Sequence, residues 1–112
     1  MNIYHLCLSE AANYTDRDAY ISDLALSSIW EDEAEADIPP SRLDWLGQLW
    51  DAAHRPIKEI ASAAGMSQRK LAERFGIPYK TIENWSTGRR DAPAYIRMMM
   101  QECLGLVSHE PD

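Results

Sequence analysis

Apolar positions along this chain recur every three or four residues, which is the spacing of amphipathic helices. Thr15-Asp16-Arg17-Asp18 reads as a helix start, with Thr15 as N-cap and Asp18 three residues later. Ile21, Leu24, Ala25 and Ile29 then share one stripe, which predicts a helix from about 16 to 30. The first eight residues fit either a short strand or a helix. Ser41 is a second N-cap, with Asp44 in the matching position. Leu46, Leu49, Trp50 and Ala53 give a helix over about 42–53, and Trp45 joins Leu49 on a neighbouring line.

The second half repeats the pattern with clearer punctuation. Pro56 suits a first helical turn, where its missing N–H is not needed. Ile57, Ile60, Ala61 and Ala64 form that helix's buried stripe, and Gly65 ends it. Ser67 caps a helix running to about Phe75, and Gly76-Ile77-Pro78 breaks it. A short helix covers Tyr79–Ser86 and stops at Ser86-Thr87-Gly88. Asp91 caps the last helix, with Pro93 in its first turn. That helix carries Tyr95, Ile96, Met99, Met100, Cys103 and Leu104 up to Gly105. Every assigned element is helical, so the expected class is all-α.

Charge divides the chain. The 112 residues are 46% hydrophobic and 26% charged, as in ordinary globular proteins, with a net charge of −7. Residues 1–54 hold two basic residues against eleven acids, a balance of −9. Residues 55–112 hold nine basic residues against seven acids, and over 55–97 the count is nine to four. Such asymmetry says more about partners than the total does. The acidic excess peaks between Glu31 and Asp37, ahead of Pro39-Pro40, and Glu31–Pro40 reads as an exposed connector. The expected organisation is an acidic, partly helical segment over 1–40, a helical domain over 41–106 and a tail over 107–112.

Several classes are disfavoured. Cys7 and Cys103 lie far apart, outside any Cys-x-x-Cys pair or Cys/His cluster, so no structural zinc site is expected. They read as incidental thiols of a reduced intracellular protein. The first eight residues lack the basic start of a signal peptide, and no apolar run reaches the ~18 residues of a membrane span. The expected location is cytoplasmic, with no membrane partner. His5, His54 and His109 are scattered, no nucleophile stands in a recognisable motif, and no Gly-rich phosphate loop occurs. An enzyme is not expected, and no metal, nucleotide or other cofactor is implied.

The informative stretch runs from Ser67 to Trp85. Two helices meet there across a three-residue turn. Ala72 is small enough for a close helix crossing, and Gly76 can take the positive φ that a sharp turn requires. Leu71, Phe75 and Ile77 are apolar on the inner side, and Ile82 and Trp85 anchor the second helix in the same core. With Trp85-Ser-Thr-Gly-Arg-Arg90 as exit, the stretch resembles the phage-repressor and Cro-like (XRE-type) helix-turn-helix family over about 56–106. Two positions depart from the family pattern. Ser86 replaces an acid, and Pro78 stands where a capping Ser or Thr is common. The resemblance implies a lambda-repressor-like helix-turn-helix bundle, here with an additional helical, acidic N-terminal segment. It also implies binding to double-stranded DNA, with a recognition helix at about 79–86 in the major groove.

The helical wheel sets the expected DNA face. With Ile82 and Trp85 inward, Lys80, Glu83, Asn84 and Thr87 point outward, and Tyr79 lies on the flank. Asn pairs with adenine, and Lys donates to guanine. Thr81 is placed to touch a thymine methyl or a phosphate, and Glu83 suits only a cytosine amine. Ser67 and Gln68 open the preceding helix, where N–H groups and short polar side chains grip phosphate. Arg69, Arg89 and Arg90 add charge for the backbone. The expected function is a sequence-specific transcriptional regulator. The family resemblance implies a homodimer joined through the last helix or the N-terminal helices. The alternative is a protein-interaction module, such as an antitoxin or phage-encoded inhibitor, whose residues 1–54 bind a partner protein. Met98-Met99-Met100 is expected in the core, and Trp30, Trp45 and Trp50 in packing. A sharper idea for the acidic run is that it folds over Arg69, Arg89 and Arg90 as an autoinhibitor.

Overall fold

A computed structural model describes residues 3–27, 30 and 38–110. Among these are seven helices and no strand: α1 (Ile3–Ala11), α2 (Arg17–Ala25), α3 (Pro40–Ala53), α4 (Ile57–Ala63), α5 (Gln68–Phe75), α6 (Tyr79–Thr87) and α7 (Ala94–Cys103). The all-α expectation holds. The chain forms two compact units. One contains the described residues of 1–53 and 107–112, and the other is His54–Leu106.

Packing draws the boundary elsewhere than composition does. A division after residue 40 puts α3 with the basic half. Instead α3 packs on α1 and α2. Its Trp45, Leu46, Leu49, Ala52 and Ala53 are buried together with Tyr4, Cys7, Leu8, Tyr20 and Leu24 in the acidic unit. Residues 107–110 are tied to that unit as well. The Trp45 indole N–H donates to the Ser108 carbonyl at 2.8 Å, and Tyr4 stacks on His109 at 4.3 Å. Two more long-range bonds hold this unit. Tyr20 donates its hydroxyl to the Cys7 carbonyl at 2.8 Å, and the Trp50 indole donates to the Tyr14 carbonyl at 3.0 Å. The Trp30 indole donates to the Leu24 carbonyl at 2.8 Å and takes the Arg42 guanidinium over its ring. The tryptophans therefore pack, as expected, and each also satisfies a backbone carbonyl. Arg17 lies across α3, paired with Asp51 at 2.9 Å, and any Cβ at Gly47 would collide with its guanidinium.

Helix ends differ from expectation in several places, and Pro56 is the N-cap of α4 rather than part of its first turn. Asp16, not Thr15, caps α2, because its carboxylate accepts from the Asp18 N–H. The helix stops at Ala25 rather than near 30, with Leu26 as C-cap, and Ile29 lies outside the described residues. α3 begins at Pro40, so Ser41 is inside its first turn rather than its cap. Pro93, not Asp91, occupies the N-cap of α7. Of the expected acidic connector, residues 31–37 lie outside the described residues.

The second unit is built on an aliphatic cluster. Ile57, Ile60, Ala61, Leu71, Ala72, Ile82, Ala92 and Met100 are buried together, with Phe75, Ile77, Trp85, Ile96 and Leu104 packed around them. Gly76 ends α5 at φ 66°, the left-handed conformation that an L side chain adopts only at a cost. That turn lets the Ile77 N–H reach back to the Ala72 carbonyl at 3.0 Å and sends Ile77 into the core. The stripe of α7 sits one position off the expected line. Ile96 and Met100 face inward, whereas Tyr95 and Met99 are 63% and 59% exposed and Cys103 is exposed. Of the three consecutive methionines only Met100 is buried, with Met98 intermediate.

Candidate nucleic-acid interface

α5 and α6 form the angular helix pair that the sequence announces. Ser67 caps α5 by accepting from the Lys70 N–H at 3.1 Å, which fixes where the helix begins. Pro78 opens α6 with no side-chain cap bond, as expected where a capping hydroxyl is missing. Ile82 is fully buried and sets the helix's rotation. That rotation leaves Lys80 and Thr87 exposed and Tyr79, Thr81, Glu83 and Asn84 partly exposed. Gly88 ends the helix at φ 84°, and Arg89 and Arg90 follow in an exposed turn. Both the Arg90 N–H and the Thr87 hydroxyl donate to the Asn84 carbonyl, which fastens that turn to the helix end.

Two pairs of the predicted residues are brought together. The Arg69 guanidinium lies 4.2 Å from the centre of the Tyr79 ring, so a cation from α5 and an aromatic from α6 act as one surface. Lys80 Nζ is 3.3 Å from Glu83 Oε1 on the exposed side of α6. An exposed pair of this kind contributes only about 0–1 kcal/mol and is readily exchanged for another anion. It also gives Glu83 a local role that the wheel alone does not show. Ser67, Gln68, Arg89 and Arg90 lie on the helix start and the exit turn rather than within these pairs. Asn84 differs most from expectation. Its Oδ1 is buried and has no hydrogen-bond partner, as is Ser86 Oγ. Pairing with adenine through both amide atoms therefore requires its side chain to turn outward.

Residues 57–90 match the family model described as helix-turn-helix, Psq domain. These residues are similar to that helix-turn-helix domain. The match covers α4, α5, α6 and the Arg89-Arg90 turn, and stops short of α7. It supports the helix-turn-helix assignment at large rather than the phage-repressor branch of it. No curated protein and no solved structure matches the chain significantly. Among the described residues no helix is long and apolar enough to cross a membrane, and no three His, Cys, Asp or Glu side chains cluster as metal ligands would.

Three further cations of this unit make specific contacts. Lys70 stands on the exposed first turn of α5 beside Arg69, 3.9 Å from Glu73. Arg55 donates to Gln101 Oε1 at 2.7 Å, and Arg97 donates to the Ala92 carbonyl. Gln101 is the one buried polar side chain of the described core, and it also donates to the Arg97 carbonyl. A glutamine between Met100 and Leu104 on an apolar stripe was the available signal for this arrangement.

Proposed function

We propose that the protein is a sequence-specific DNA-binding transcriptional regulator. The observation that carries this reading is the outward surface of α6. It joins Lys80, Thr87 and the Arg69–Tyr79 pair to the exposed Arg89-Arg90 turn, inside a helix-turn-helix domain of net positive charge. Tyr79, Lys80, Thr81, Glu83, Asn84 and Thr87 contact base edges in the major groove, with Lys80 the leading donor to guanine. Ser67, Gln68, Arg69, Arg89 and Arg90 hold phosphates and set the register. The regulator works as a homodimer on paired half-sites. The exposed Tyr95 and Met99 line of α7 supports that, as an apolar surface suited to a second copy.

Selection of bound duplexes from a random pool, followed by titration at two salt concentrations, tests the reading. An enriched motif and an affinity that falls steeply with salt are expected. No enriched motif together with a flat salt dependence contradicts it.

A second reading has a specific observation in its favour. Leu26 and Leu43, both in the acidic unit, are 75% and 40% exposed. They favour a protein partner for residues 1–54, with DNA binding then serving autoregulation. A stoichiometric partner copurifying with the full chain, and lost in a Leu26→Ser, Leu43→Ser variant, supports that reading.

A further inference from the structure

A half-open cavity of about 410 Å³ lies behind the helix-turn-helix, walled by the start of α4, the end of α6 and the turn into α7. None of the residues assigned to DNA lines it. Its lining includes Arg55, Arg97, His54, the Trp85 indole, Asp91 and Ala92. The volume is within the range of small-molecule sites, about 300–1,000 Å³.

The two guanidiniums are anchored rather than trailing in solvent. Arg55 is held by the buried Gln101 at 2.7 Å, and Gln101 is itself held by the Arg97 carbonyl at 3.1 Å. Arg97 is held by the Ala92 carbonyl, on the cavity's own wall. Anchoring removes much of the side-chain freedom that binding would otherwise take away. A guanidinium presents five N–H donors in a plane, so Arg55 retains a planar edge suited to carboxylate or phosphate oxygens. Trp85 adds a flat apolar surface to the same wall. Against two arginines stands one carboxylate, Asp91, so the lining favours an anion.

We infer that this cavity is a binding site for a small aromatic anion, its phosphate or carboxylate held by Arg55 and Arg97 and its ring lying against Trp85. The site stands independently of the DNA reading, because it uses none of the residues assigned to DNA.

The test follows the Trp85 indole N–H by NMR in the full chain, with the resonance identified by its loss in Trp85→Phe. The probes are phenyl phosphate, inorganic phosphate and benzyl alcohol. Phenyl phosphate shifts the Trp85 resonance saturably, and more tightly than inorganic phosphate, while benzyl alcohol leaves it in place. Arg55→Lys keeps the charge but loses the planar fork, and weakens phenyl phosphate by about tenfold. Asp91→Asn tightens it, a gain that misfolding cannot imitate. The inference is overturned if phenyl phosphate gives no saturable shift up to about 10 mM, beyond the weak end of specific binding. It is equally overturned if inorganic phosphate binds as tightly as phenyl phosphate, or if neither Arg55→Lys nor Asp91→Asn changes the affinity.

Discussion

The two units of this chain are held together by different means. The acidic unit relies on side chains that reach far along the sequence. Tyr20 binds the Cys7 carbonyl, Trp50 the Tyr14 carbonyl and Trp45 the Ser108 carbonyl, and Arg17 pairs with Asp51. The helix-turn-helix unit relies on an aliphatic cluster and mainly on local devices at helix ends, the Ser67 cap and the Gly76 turn, with Arg55 to Gln101 as a long-range side-chain bond. Local devices leave marks in a sequence at fixed offsets. Long-range bonds to backbone carbonyls leave almost none, since any residue supplies the acceptor.

Single substitutions should act on one unit and spare the other. The largest effect is expected from Ile82→Ala, which opens a void at the centre of the aliphatic cluster. Thermal or denaturant unfolding should show a loss of about 2–5 kcal/mol. Amide exchange should place that loss in α4–α7 and spare α1–α3. A uniform loss would mean that the two units share their stability. Gly76→Ala meets open space, so backbone strain alone acts, and about 1–2 kcal/mol should be lost from the helix-turn-helix unit. Tyr20→Phe removes only a hydroxyl, and because the Cys7 carbonyl keeps its place in α1, about 0.5–1.5 kcal/mol should go from the acidic unit. A neutral result would show that this long-range bond does not hold the unit.

The smallest effect is read in mild alkali. Burial pushes the Cys7 thiol up to about 11 and the Tyr20 phenol upward as well. The folded state thus favours the neutral forms. Their stabilisation is complete below the unfolded thiol value of about 8.5 and is lost as pH rises toward the folded value. Between neutral pH and about pH 10, amide exchange in α1 and α2 should accelerate more than in α4–α7. The reverse order would contradict the assignment of buried acids to the acidic unit. At neutral pH, alkylation should label the exposed Cys103 well before Cys7.

The same contrast explains what the sequence made legible. The helix-turn-helix unit was readable nearly helix by helix, because Ser67, Gly76, Ile82 and Gly88 each act within one turn of their own position. The acidic unit was readable only as helices. Nothing in the pattern of Trp45, Leu46 and Leu49 says which half of the chain they face, and the packing of α3 on α1 and α2 is seen only in the structure. In the site, exposure of Lys80 and Thr87 followed from the position of Ile82. The stacking of Arg69 on Tyr79, the Lys80–Glu83 pair and the covered Oδ1 of Asn84 depend on how two helices cross. The Arg55–Gln101–Arg97 chain was hidden for the same reason, since its members are spread over α7 and the residue preceding Pro56.

In the proposed function the exposed face of α6 reads DNA sequence, although the chain as a whole is acidic. The most direct measurement compares the full chain with Lys80→Ala on the selected duplex and on a scrambled one, at one fixed salt concentration. Lys80 is exposed and makes no core contact, so the melting temperature of the variant should be unchanged. The affinity ratio between the two duplexes should fall by about tenfold, the loss of a single base contact. An unchanged ratio, with both affinities falling together or not at all, would contradict the proposed function.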